Sequence, residues 1–148
     1  MGYRVYISGR NEIVNIPAVE YLHDGDAIAI DDFWGHQAIV RYGPDGTCWA
    51  YHNDKTWGIS YEPFADVHRG RGYHRIGQPD SQAHCDAIFE RADAALMLHP
   101  PYSATSWNCE SFVHFCYYGA PHSESVRTGV LWLGIGALGA AVWSANRE

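Results

Sequence analysis

Residues 35–52 read GHQAIVRYGPDGTCWAYH, two apolar stretches parted by Gly43-Pro44-Asp45-Gly46. Pro44 and Asp45 suit the two central positions of a type I turn, and Gly46 suits the left-handed position that follows. Together they make a three-residue hairpin loop in which Gly43 faces Thr47. Counting outward from that pair, Ala38 faces His52 and His36 faces Asp54. His36 and His52 therefore share one face of the ribbon as diagonal neighbours, their Cβ atoms roughly 7–8 Å apart. Ala38, Val40, Cys48 and Ala50 lie on the same face and are small enough to admit a helix, whereas Ile39, Trp49 and Tyr51 point the other way. A four-residue loop would put the two histidines on opposite faces, so the turn chemistry carries the functional reading with it.

Outward from this ribbon, residues 27–31 form a short apolar run launched by the turn His23-Asp24-Gly25-Asp26, and 57–60 and 72–76 read as two more strands. A loop containing Gly70-Arg71-Gly72 joins those last two, and residues 3–8 read as a further short strand near the start. Gln78-Pro79-Asp80-Ser81 ends the sheet region and caps a helix to about Leu98, with Ile88, Phe89, Ala92, Ala95 and Leu96 at helical spacing. Pro100-Pro101 forbids its continuation. A second helix runs from Asn108 through Phe112, Val113 and Cys116 to Gly119-Ala120-Pro121. Strands followed by helices predict an α+β fold.

The 148 residues suffice for one domain with a sizeable core, 47% of them hydrophobic. A net charge of −7, with no basic run, argues against nucleic acid as a partner, because such binding rests on phosphate neutralisation. Cys48, Cys85, Cys109 and Cys116 form no C-x-x-C pair, which predicts free thiols in a reducing cytoplasm. The charged start, MGYRVYISGRNE, does not indicate secretory export. His84-Cys85 and His114-x-Cys116 lack paired ligand spacing, so no metal is expected. Nor does Gly134-Ile135-Gly136-Ala137-Leu138-Gly139 follow a strand, as a dinucleotide loop would.

Asn108 is a good N-cap residue, which puts Cys109 at the first helical position. There the helix dipole and unpaired amides would stabilise a thiolate and hold an oxyanion. If this helix docks on the small-residue face of the ribbon, Cys109 meets His36 and His52. One imidazole then takes the thiol proton and the other orients the first, the nucleophile, base and orienter of thiol-dependent acyl transfer.

Asn108-Cys109-Glu110-Ser111-Phe112-Val113, followed by Tyr118-Gly119, resembles the Asn-Cys-Glu-His-Phe-Val…Tyr-Gly signature of lecithin:retinol acyltransferase-like proteins, a circularly permuted branch of the papain-like, NlpC-type thiol hydrolases. Gly25-Asp26, Gly35-His36-x-Ala38-Ile39, His52, Arg91-Ala92, Ser123 and Val126 fall in the family's order, so the likeness covers about residues 21–126. It implies Cys109 as nucleophile, His36 as general base and His52 as the third, polarising member. It also implies a Cys thioester formed from a phospholipid acyl ester, passed to water, an alcohol or an amine without a cofactor. Two departures stand out: Ser111 replaces the family's His, and the loop between the histidines is longer than in the phospholipase-type members.

Residues 129–145 carry no Asp, Glu, Lys or Arg, and as a helix would measure about 25 Å, the short limit for spanning a bilayer. The expected organisation is thus a catalytic domain over 1–126 and an apolar C-terminal helix over 127–148. Some relatives carry a C-terminal anchor, and membrane contact through 129–145 would place the protein at the cytoplasmic surface of a membrane. Two other readings stay open: an amidase or peptidase of the wider superfamily, and a catalytically idle module that docks through its apolar tail.

Overall fold

A computed structural model describes residues 21–32 and 35–121. The strand expected at residues 3–8, Ser123, Val126 and the segment 127–148 with its apolar stretch 129–145 lie outside them. The fold is α+β. Strands β1 (Ala27–Ile30), β2 (His36–Tyr42), β3 (Cys48–Asp54), β4 (Gly58–Pro63) and β5 (Tyr73–Gly77) pair antiparallel in the order β4-β3-β2-β1-β5. Helices α1 (Phe64–His68), α2 (Gln82–Leu98) and α3 (Cys109–Tyr118) cover the sheet.

The ribbon of β2 and β3 has the register its turn requires. Gly43 N–H donates to Thr47 O at 2.8 Å and Gly46 N–H to Gly43 O at 2.9 Å, with Gly46 at φ 80°. Ala38 consequently faces His52, and Tyr42 faces Cys48.

Each face of the sheet buries its own cluster. Ile28, Ile30, Ala38, Val40 and Ala50 pack against Phe64 and Val67 of α1. On the other face, Ile39, Tyr51 and Ile59 pack against Ile88 and Ala92 of α2 and Phe112, Val113 and Cys116 of α3. The cysteine helix thus docks on the Ile39/Tyr51 face, and the expectation that it lies on the small-residue face is corrected. The physical reason is α1, which occupies the small-residue face. Its five residues, behind Pro63, are too few to show helical periodicity in a stretch that the sequence reading runs as loop.

Both long helices start on a side-chain cap. Ser81 accepts from His84 N–H, and Asn108 accepts from Ser111 N–H at 2.9 Å while Asn108 N–H donates to Ser111 Oγ at 2.7 Å. The second pair is a complete capping box, so the polar residue three positions after the N-cap holds the helix start. Ser111, standing where the related motif has His, is buried in that task.

Candidate active site

Three chain segments converge at the end of the sheet where β2 begins and β3 ends. The N-terminus of α3 is tied to it twice. Asn53 Nδ2 donates to Trp107 O at 2.8 Å, two residues before the cysteine, and the Gln37 N–H donates to the Cys109 thiol. Cys109, His36 and His52 all line one cleft of about 680 Å³. The three expected residues therefore border the same cleft, although the helix packs on the other face of the sheet from the one expected.

The imidazoles form a chain. His36 Nε2 and His52 Nδ1 are 2.9 Å apart, with the rings perpendicular. His52 Nε2 lies 2.7 Å from a carboxylate oxygen of Glu62 on β4. His52 is buried, while Glu62 is half exposed on the edge strand. Glu62 faces Ala50 across the β3–β4 ladder, which makes it a diagonal neighbour of His52 on one face. The sequence reading missed it. Its signal was parity along the β3–β4 pairing, and that reading ended the strand at residue 60, before Glu62.

Burial sets the protonation of the pair. Removal from water, with a smaller contribution from the neighbouring His52, lowers the His36 pKa to about 4 against the opposing pull of Asp32 and Asp54. Burial raises the Cys109 thiol above its ordinary value, outweighing the Gln37 and Glu110 amides that favour the thiolate. The expected thiolate at the helix start is therefore corrected: desolvation of the sulfur exceeds the help of the helix terminus. Near neutral pH the pair is thiol and neutral imidazole.

The other tempting groups are engaged elsewhere. His84 Nε2 bonds Tyr117 O at 3.0 Å, Cys85 donates to Asp24 O, and Cys116 is fully buried in the helix-side core.

No family model matches the chain. Over 54 residues, 36% of its length, it is 41% identical to phospholipase A and acyltransferase 3 of Mus musculus. That stretch is 33% of the mouse protein, so the chain spans about a third of the length of the relative it matches.

Proposed function

We propose that this chain is a thiol-dependent acyltransferase or hydrolase of the lecithin:retinol acyltransferase-like kind, acting on phospholipid acyl esters. Cys109 is the nucleophile, His36 the general base and His52 its orienter. The observation that carries the reading is the convergence of these three side chains on one cleft, with the Gln37 and Glu110 N–H groups directed at the sulfur. The partial likeness to a mouse protein named for phospholipase A and acyl transfer supports the substrate class.

In the first half-reaction Sγ bonds the ester carbonyl carbon as its proton passes to His36. Backbone N–H groups at the start of α3 receive the developing oxyanion. The carbonyl–oxygen bond of the ester then breaks, the leaving alcohol takes the proton from His36, and a thioester remains. Water, an alcohol or an amine gives its proton to the same base, attacks the thioester and restores the thiol. No cofactor enters these steps. Contact of residues 129–145 with a membrane would bring the cleft to its substrate.

The test is incubation with phosphatidylcholine followed by intact mass measurement. The expected result is an acyl adduct that is absent from Cys109→Ala and His36→Ala and diminished in His52→Gln. Failure to form an adduct, with cleavage of a γ-glutamyl peptide instead, would move the reading to an amidase. Full adduct formation in His36→Ala would mean that the base is misassigned.

A further inference from the structure

We infer that Glu62 is a positioning residue that selects the tautomers of His52 and, through it, of His36. The inference rests on the roles just proposed for Cys109, His36 and His52. A carboxylate only accepts hydrogen bonds, so the 2.7 Å contact with Glu62 requires the proton of neutral His52 to sit on Nε2. His52 Nδ1 is then an acceptor. The 2.9 Å contact between the rings in turn requires His36 to donate from Nε2. A neutral His36 that donates from Nε2 carries its lone pair on Nδ1, the form in which it can take the thiol proton. With the opposite order, His52 would donate from Nδ1 to His36 Nε2, and His36 would hold its proton on Nδ1 and be no base. Between the two rings alone the order is undecided, because each imidazole satisfies the other equally well in either sense. Glu62 breaks that symmetry.

Half of the Glu62 side chain meets solvent, so its charge is screened and its contribution is an acceptor held at a fixed point. No proton needs to reach it: during attack the thiol proton stops at His36 Nδ1, and the His36 imidazolium keeps its bond to His52.

A substitution series tests this directly. Glu62→Gln offers both acceptor and donor, and Glu62→Lys offers only donors. Lys is compatible with an exposed position on an edge strand. In protein carrying ¹⁵N-histidine, ring-nitrogen spectra assigned with His36→Asn and His52→Asn report which nitrogens are protonated, whether or not any substrate turns over. The expected result is protonated Nε2 on both rings in the unaltered protein, a mixture in Glu62→Gln, and protonated Nδ1 on both rings in Glu62→Lys. The rate of acyl-adduct formation should fall several-fold in the first variant and about 100-fold in the second, within the range that general-base catalysis supplies. Unchanged ring-nitrogen spectra in folded Glu62→Lys would overturn the inference, and should that variant fail to fold, unchanged spectra in Glu62→Leu, which offers no acceptor, would do the same. Absence of any adduct in the unaltered protein would instead count against the proposed function, while the spectra alone would decide the role of Glu62.

Discussion

At the scale of single residues, the protonation of Cys109 and His36 is governed by their removal from water. With its pKa lowered by burial to about 4, His36 is neutral over the whole physiological range, as the base proposed above must be. The acid limb of kcat/KM, which reports groups of the free enzyme, is expected near pH 4 instead of the ~6.5 of an unperturbed histidine. Measured rates across pH 3.5–8 check this, using a short-chain soluble ester to avoid changes in lipid packing. The same displacement is a statement about stability. The folded pKa lies below the unfolded one, so the unfolded chain binds the extra proton as pH falls from 6.5 towards 4. Folding stability should decline across that window by about 3 kcal/mol from His36, and His36→Asn should flatten the decline in urea titrations.

At the scale of elements, two short pieces of local chemistry place the site. Gly46 takes φ 80° with open space around its Cα. Gly46→Ala should therefore cost about 1–2 kcal/mol through backbone strain alone, read as a lower unfolding midpoint at an unchanged urea slope. Asn108→Ala removes one half of the box at the start of α3 and should cost about 1 kcal/mol. It should also slow acyl-adduct formation, since the same turn carries the thiol. Ser111→Ala, which leaves the Asn108 half in place, should be milder. These two elements were also the most legible in the sequence, because turn and cap preferences act on adjacent residues: Pro44-Asp45-Gly46 dictated the pairing of Ala38 with His52, and Asn108 dictated the position of Cys109. Less legible were α1, Glu62 and the face on which α3 packs. Each depends on contacts between segments distant along the chain, and each follows from the others: once α1 covers the small side chains, α3 has only the opposite face. The upward pKa shift of the Cys109 thiol was hidden for a related reason, since a helix start is visible in sequence and desolvation is not.

At the scale of the whole molecule, the sheet is sandwiched, with α1 on one side and α2 and α3 on the other. Among the described residues no helix is long and apolar enough to cross a membrane. The membrane contact proposed above is assigned to residues 129–145. Flotation with liposomes should carry the full chain upward and leave a chain lacking 127–148 at the bottom. Co-flotation of both forms would assign lipid contact to the sandwich itself. Between β5 and α2 the chain passes through residues 78–81, three of them exposed, and this link divides the chemistry unevenly. Both imidazoles and Glu62 precede it, while the sulfur follows it. On the roles proposed above, a chain severed there would yield two inert fragments, and recovery of thioester formation on mixing them would measure their reassembly, much as a split reporter does.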